Sequence, residues 1–251
     1  MCELFGVTSV KTVDVTSELK EFFKHGEFNP HGWGIASWND EAKVTVVKEP
    51  VDSTKSTLID DYIGNGFKVR GMIAHIRRAT IGHVDLENTH PFIARNPDQR
   101  EWTFAHNGTI FESEELQPYA DIQSGSTDSE RIFLYILDQI NGVDDAASRF
   151  KIMDSIAVRL SDKNKLNFVA FDGEYLYVHK NEAGTMYYKE HDGYIFIATK
   201  PLDDGVWEEV PINRLHVFKD GRLVFEGSVH NHTYVYDEKQ MQMHYMEFAG
   251  L

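Results

Sequence analysis

The chain contains a single cysteine, Cys2, in 251 residues. One thiol excludes a framework of disulfides within the chain and a metal cluster made only of cysteine ligands. No apolar run approaches the roughly 18 residues of a membrane-spanning helix, and the N-terminus lacks the basic and apolar segments of a signal peptide. These absences predict a cytoplasmic protein with no segment in a membrane.

Basic residues are also scarce, because 25 Lys and Arg stand against 40 Asp and Glu, and the formal net charge is −15. Such a surface repels phosphate backbones and anionic lipids, so neither nucleic acid nor a membrane is an expected partner. The chain shows no internal repeat, biased linker or break in composition. We therefore expect one domain over residues 2–251, with Met1 removed because a small residue follows it.

The first part of the chain alternates between strand and helix signals. Residues 2–10 are strand-like, and a helix follows with Thr16 or Ser17 as its N-cap. Two further strands are expected to pair antiparallel across a turn at Asn39–Asp40.

The remainder is predicted to contain two consecutive helices and then hairpins. Residues 125–142 carry a helical apolar stripe, with Thr127 and Glu130 as a capping box, and a second amphipathic helix covers 146–160. From Leu166 onward, three hairpins are expected with Asp-Gly turns of the primed type. Strands at both ends of the chain predict an α+β fold of two antiparallel sheets with helices packed outside.

An arginine pair follows one predicted strand, in the motif "AHIRRAT". Alternation places His75 and Arg77 on one face and Arg78 on the other, so only one arginine can face a given pocket. Arginines at strand ends mostly form surface ion pairs, but a planar guanidinium also suits the binding of a carboxylate. Both interpretations are open.

Two further motifs each allow a structural and a chemical interpretation. Asn107-Gly108 is most typical of a hairpin turn, but the weak strand after it leaves open an oxyanion hole made of an amide and a backbone N–H. Asp128 lies in the first turn of a predicted helix, where its charge interacts with the helix dipole. The same carboxylate could bind the ammonium group of a ligand.

Several common functional motifs are missing. Twelve histidines are present, yet no H-E-x-x-H pattern or close ligand set occurs, so no metal site is expected. There is no G-x-S-x-G elbow and no P-loop, and "GNGFKV" lacks the third glycine of a dinucleotide fingerprint. A serine hydrolase, a P-loop NTPase and a Rossmann enzyme are disfavoured, and no cofactor is expected.

Taken together and in this order, six motifs resemble the class II glutamine amidotransferase domain, a branch of the N-terminal-nucleophile hydrolases. They are "MCELFGV", "HGWGIA", "AHIRRAT", "ENTHPF", "FAHNGTI" and "STDSE". The most similar branch is the stand-alone bacterial YafJ-type group. The motifs span residues 2 to about 130, and the hairpin-rich remainder carries no diagnostic motif. The resemblance implies a four-layer αββα sandwich of two antiparallel sheets between helical layers.

The resemblance also implies a nucleophile. Cys2, which would otherwise be a small buried apolar residue, matches the N-terminal nucleophile freed by loss of Met1. A free cysteine thiol and an α-amine titrate near ~8.5 and ~7.7–8, so the two groups of an N-terminal cysteine can share a proton at neutral pH. Asn107 and Gly108 match the oxyanion donors.

Four residues match substrate-binding positions of the same family. Arg77 matches the group that binds the α-carboxylate of the substrate, and Asp128 matches the group that binds its α-ammonium. Thr80 and His90, in two of the matching motifs, are expected to contact the substrate as well. The chain departs from other branches at Arg78, where the sugar-amidating branch has tryptophan, and at Glu3, where many members have glycine.

The favoured function is that of a glutamine amidotransferase or glutaminase that cleaves the γ-carboxamide of glutamine through a thioester on Cys2. Its ammonia acceptor is expected on a partner subunit, because nothing beyond residue 130 resembles an acceptor domain. Two alternatives stay open: a hydrolase of γ-glutamyl peptides or amines that needs no acceptor, and a catalytically silent binding or regulatory subunit. A homodimer is the default oligomer.

Overall fold

A computed structural model describes residues 1–39, 43–96 and 99–249, with side chains described as far as residue 243. Its strands form two antiparallel sheets. Sheet A has the order β11 (Glu208–Glu209), β9 (Tyr187–His191), β10 (Tyr194–Ala198), β1 (Glu3–Asp14), β4 (Lys68–Ile76), β2 (Trp33–Trp38), β3 (Val44–Glu49). Sheet B has the order β13 (Arg222–Glu226), β12 (Arg214–Lys219), β8 (Leu176–Lys180), β7 (Phe168–Phe171), β6 (Glu101–His106), β5 (Phe92–Arg95).

Five α-helices complete the described elements: α1 (Thr16–Lys24), α2 (Thr57–Ile63), α3 (Asp128–Gln139), α4 (Ala146–Ser161) and α5 (Glu238–Ala249). Short 3-10 helices cover His25–Phe28, Ser53–Lys55 and Gln117–Asp121. Helices α1, α3 and α4 confirm the predicted ones, whereas α2 and α5 were not predicted. Within the described residues, no helix combines the length and the apolar character needed to cross a bilayer.

Alternation along β1 shows how sheet A separates two cores. Phe5 and Val7 pack with Leu19 and Phe22 of α1 on the outer face, whereas Leu4 packs with side chains of sheet B. Because successive side chains in a strand point to opposite faces, one strand contributes to both cores.

Sheet B is built in the same way. Phe104 and Phe168 pack against Ile132 of α3 and Met153 of α4, and Phe171 faces sheet A, where its ring stacks on Trp38 with centroids 3.6 Å apart. The layers are therefore helices, sheet A, sheet B and helices. The expected four-layer αββα sandwich is confirmed.

Helix ends follow the sequence only in part. Helix α1 has Val15 as its N-cap residue with no side-chain cap, so the prediction of Thr16 or Ser17 is wrong; Thr16 bonds to Asp14 instead.

At α3 the predicted cap is present, because the hydroxyl of Thr127 accepts the N–H of Glu130. The capping box is incomplete, since the Glu130 carboxylate accepts from Ser124 and Gly125.

The three predicted hairpins are present as β7–β8, β9–β10 and β12–β13. Among their Asp-Gly turns, only Asp220-Gly221 has positive φ at both residues, 51° and 75°. The primed turn type is therefore wrong for the other two hairpins. The antiparallel pair β2–β3 is also present, but Asp40 of the predicted turn lies outside the described residues.

Candidate active site

The pairing of β1 with β4 brings Cys2 next to the arginine motif. Glu3 pairs with Ile76 in an antiparallel register, so the residue before β1 lies beside the residues that follow β4. The Cys2 sulfur accepts the backbone N–H of Arg78 at 3.2 Å and lies 3.4 Å from the carbonyl oxygen of the same residue. The fold thus fixes the only thiol by backbone contacts.

The arginine pair keeps its alternation beyond the end of β4. Arg77 is buried and Arg78 is exposed, because the backbone of Arg77 continues to pair with His31 and Gly32. The Arg77 guanidinium donates to the carbonyl groups of His83 and Ile81 at 2.7 and 2.9 Å. A guanidinium has five N–H donors, so the group retains donors for a carboxylate.

Asn107 and Gly108 do not form a hairpin turn. Neither residue has positive φ, and the chain runs on beyond β6 beside residues 165–167. The N–H of Asn107 donates to the Asn167 carbonyl at 2.8 Å, and Thr109 and Lys165 form a bridge with bonds of 2.9 and 3.1 Å. The turn interpretation is therefore wrong, and residues 107–109 form an extended segment next to Cys2.

The Asn107 side chain leaves one donor unused. Its Nδ2 atom is buried and has no hydrogen-bond partner among the described residues. A buried donor without a partner is costly and calls for an explanation. Gly108 is equally constrained, because a Cβ at this position would lie 2.1 Å from the Lys165 carbonyl oxygen. Only glycine allows this close approach of the two chain segments.

A cavity of about 420 Å³ lies beside the thiol. One part of its lining comes from motifs identified in the sequence: Met1, Cys2, Arg78, Thr80, Asn107, Gly108 and Thr109. The rest comes from residues that sequence reasoning missed: Lys165, Glu182, Tyr234, Tyr236 and Met241. No motif marks this second group, which the fold collects from three separate chain segments.

Arg77, Asp128 and His90 are not part of this lining. The two Asp128 oxygens accept the N–H groups of Ile110 and Ser129, at 2.7 and 2.8 Å. His90 is buried, with its Nδ1 atom 3.2 Å from His75. The structure therefore groups Thr80 with Cys2, Asn107 and Gly108, and places the other three expected substrate-binding residues outside the cavity lining.

The surroundings shift the pKa values of the Cys2 thiol and of the Met1 α-amine. Burial raises the pKa of the Cys2 thiol, although the Arg78 N–H and the charges of Arg77 and Lys165 act in the opposite direction. Burial lowers the pKa of the Met1 α-amine, and Arg78 and Lys165 lower it further. With Met1 in place, the nitrogen of Cys2 is a peptide nitrogen and cannot act as a base.

Glu3, which departs from the glycine common in the family, faces away from the cavity. Its carboxylate pairs with His25 at 2.8 Å and with Lys200 at 2.7 Å. Burial would raise the pKa of this carboxyl, but the two partners outweigh it and the pKa is lowered. Among the described residues, no group of three or more His, Cys, Asp or Glu side chains could hold a metal ion.

Comparison with known proteins identifies one matching family model and several relatives. The family model "Glutamine amidotransferases class-II" matches residues 1–191. An uncharacterized protein of Methanocaldococcus jannaschii is 33% identical over 256 aligned residues, covering 90% of this chain and 72% of that protein. YafJ of Escherichia coli K12, provisionally named as a glutamine amidotransferase, is 34% identical over 187 residues, covering 70% of this chain and 71% of YafJ.

Solved structures share the fold at lower identity. A "predicted glutamine amidotransferase" of Pseudomonas aeruginosa has a TM-score of 0.63 at 21% identity, covering 89% of this chain and all of the other. The glutamine phosphoribosylpyrophosphate amidotransferase of Bacillus subtilis has a TM-score of 0.66 at 18% identity, covering 87% of this chain and 47% of the other. These likenesses establish the fold, which agrees with the αββα layers described above.

Proposed function

The chain belongs to the class II glutamine amidotransferases, and from this premise we propose that it cleaves the γ-carboxamide of glutamine through a γ-glutamyl thioester on Cys2. Removal of Met1 is part of the proposal, because it gives Cys2 a free α-amine. The ammonia released would pass to an acceptor supplied by a partner subunit.

The proposed reaction has two steps. The α-amine of Cys2 takes the thiol proton, the sulfur bonds to the γ-carbon, and the carbonyl oxygen becomes an oxyanion held by Asn107 and Gly108. The C–N bond then breaks, the ammonium of Cys2 gives its proton to the leaving nitrogen, and ammonia departs. Water attacks the thioester in the second step, which releases glutamate and returns a proton to the sulfur.

The observation that carries this proposal is that Asn107 and Gly108 line the same cavity as Cys2, while Asn107 Nδ2 has no hydrogen-bond partner among the described residues. An oxyanion hole needs donors arranged in advance, before charge develops. An amide donor held buried without a partner meets that requirement. Arg77 and Asp128 are proposed to bind the α-carboxylate and the α-ammonium, with Thr80 and His90 as further substrate contacts.

The test is covalent labelling with a diazoketone analogue of glutamine, followed by intact mass measurement and mapping of the N-terminal peptide. The protein is co-expressed with methionine aminopeptidase so that Met1 is removed. We expect one adduct on Cys2, suppressed by excess glutamine and absent from Cys2→Ser. Saturable glutamine binding with no adduct and no turnover would contradict the proposal and favour a silent binding subunit.

One observation favours a second candidate, the hydrolysis of γ-glutamyl peptides or amines. A water molecule occupies roughly 30 Å³ of liquid, and ammonia is of similar size, whereas the cavity measures about 420 Å³. Part of this volume must hold the γ-glutamyl group, and the remainder still leaves space for a leaving group larger than ammonia. Turnover of γ-glutamyl p-nitroanilide with no acceptor protein present would support this candidate.

A further inference from the structure

The cavity holds an ion pair that the proposed chemistry does not use. Lys165 Nζ lies 2.6 Å from Glu182 Oε2, and the two side chains are 7% and 12% exposed. Burying an ammonium group is costly unless it is well paired. A charge kept at this depth beside the thiol calls for an explanation in terms of what enters the cavity.

The Lys165 ammonium has a second contact that is weak. Its Nζ lies 2.7 Å from the sulfur of Met1, and a thioether is a poor hydrogen-bond acceptor. An ammonium carries three N–H donors, and the contact with Glu182 is an ion pair without hydrogen-bond geometry, because Glu182 Oε2 has no hydrogen-bond partner among the described residues. Removal of Met1 would therefore free a charged donor that points into the cavity, and a carboxylate oxygen would be a far stronger partner than sulfur.

Lys165 is also held at a fixed place relative to the oxyanion residues. Its backbone forms both bonds of the bridge to Thr109, and its carbonyl oxygen is the atom that forbids a Cβ at Gly108. The ammonium group therefore lies on the segment that flanks the oxyanion hole. Any ligand group bound to it stays close to the bond that breaks.

Aromatic side chains of the C-terminal segment complete this part of the cavity. The N–H of Tyr234 donates to the Asn181 carbonyl at 2.8 Å, and its ring stacks on Phe111 with centroids 6.0 Å apart. Tyr236 and Met241 extend the same wall. Such a wall suits an organic leaving group rather than ammonia, because it offers apolar contact area.

We propose that Lys165, Glu182 and the Tyr234 wall form a leaving-group subsite for an amine that bears a carboxylate, namely an amino acid or short peptide attached to the γ-carboxyl of glutamate. Lys165 binds the carboxylate, and Glu182 holds Lys165 in place. The inference rests on the proposed thioester chemistry. The sulfur first adds to the γ-carbon, the C–N bond of the tetrahedral intermediate then breaks, the nitrogen takes the proton held by the Cys2 amine, the amino acid departs, and water cleaves the remaining thioester.

The test compares two substrates that differ by one carboxylate: γ-glutamylalanine and γ-glutamylethylamine. The processed wild-type enzyme should prefer the dipeptide by about 10- to 100-fold in kcat/KM, the range of a hydrogen bond to a charged group. In Lys165→Met this ratio should fall to about 1. A wild-type ratio near 1, with both substrates cleaved, would overturn the subsite and leave the thioester chemistry standing.

Two further variants keep the test decisive. The double variant Lys165→Met/Glu182→Met removes both charges together, which avoids a buried unpaired carboxylate, and its ratio should also be about 1. Lys163→Met is the matched control, since Lys163 is 64% exposed and pairs with Glu112 outside the cavity; its ratio should equal that of the wild type. A preference that survives in the folded double variant would overturn the role of Lys165.

If wild-type enzyme neither forms the Cys2 adduct nor cleaves any γ-glutamyl substrate, the proposed function itself fails.

Discussion

At the scale of single residues, the side-chain amide of Asn107 makes the most direct prediction. Its backbone N–H is bonded to Asn167 and stays so when the side chain is shortened. Asn107→Ala should therefore keep the fold but lower kcat for glutamine by about 10²-fold or more, the usual effect of losing one oxyanion donor. The measurement is steady-state ammonia release.

Asn141→Ala is the control for this change, because Asn141 is an exposed asparagine just after α3. It should retain wild-type turnover, and both variants should unfold at the wild-type temperature. Wild-type turnover in Asn107→Ala would remove the residue from the oxyanion hole.

The thiol of Cys2 makes a second prediction at this scale. Burial raises its pKa while Met1 is present, so the thiolate should be scarce at neutral pH. In protein that carries an uncleaved extension before Met1, the rate of alkylation by iodoacetamide should rise with a midpoint above the ~8.5 of a free cysteine.

After Met1 is removed, the ammonium group of Cys2 itself lies beside the sulfur and favours the thiolate. The alkylation midpoint of the processed protein should therefore shift to lower pH. Equal midpoints in the two preparations would show that the α-amine does not activate the thiol.

At the scale of elements, the start of α3 depends on a single cap. The hydroxyl of buried Thr127 accepts the Glu130 N–H at 3.3 Å. Thr127→Ala should lower the free energy of unfolding by about 1 kcal/mol, measured by urea denaturation. Thr127→Ser keeps the hydroxyl and should recover most of this loss; equal losses in both variants would assign the effect to the methyl group instead.

The elements also show what the sequence could and could not predict. Helices with a wide apolar stripe and hairpins with alternating residues were predictable, because their signals are local. Asn107-Gly108 resembled a turn, and its true conformation depends on backbone bonds from Asn107 to Asn167 and between Thr109 and Lys165, which are 60 and 56 residues apart in the chain. Turn types at Asp172 and Asp192 were likewise decided by the strands they join rather than by the Asp-Gly pair.

The same distinction applies to the candidate site. Cys2, Thr80, Asn107 and Gly108 were identifiable from short motifs, and the fold gathers them around one cavity. Lys165 and Glu182 carry no motif, and they form a pair because one precedes β7 and the other follows β8 in the same hairpin. Long-range packing is what brings the C-terminal residues Tyr234 and Met241 to this pair.

At the scale of the whole molecule, buried histidines couple stability to pH. Burial lowers the pKa of His75 and of His179 to about 3, and it lowers that of His90 well below the usual value. An unfolded histidine titrates near ~6.5. Between these values the unfolded chain binds more protons than the folded one, so the free energy of unfolding must fall as the pH decreases below about 6.5.

His179 tests this coupling away from the cavity, because it lies in β8 with its Nδ1 atom 2.9 Å from the Leu166 carbonyl oxygen. Each such histidine should cost about 1.4 kcal/mol of stability between pH 7.5 and 5.5. Urea denaturation of His179→Gln should therefore give free energies of unfolding that differ less between these two pH values than those of the wild type. The reduction should be about this amount. Asn141→Ala, at an exposed position without a titratable side chain, provides the control and should keep the wild-type difference. An unchanged difference in His179→Gln would mean that the folded protein takes up a proton at this position, and that its interior tolerates a charge which the burial of His179 should exclude.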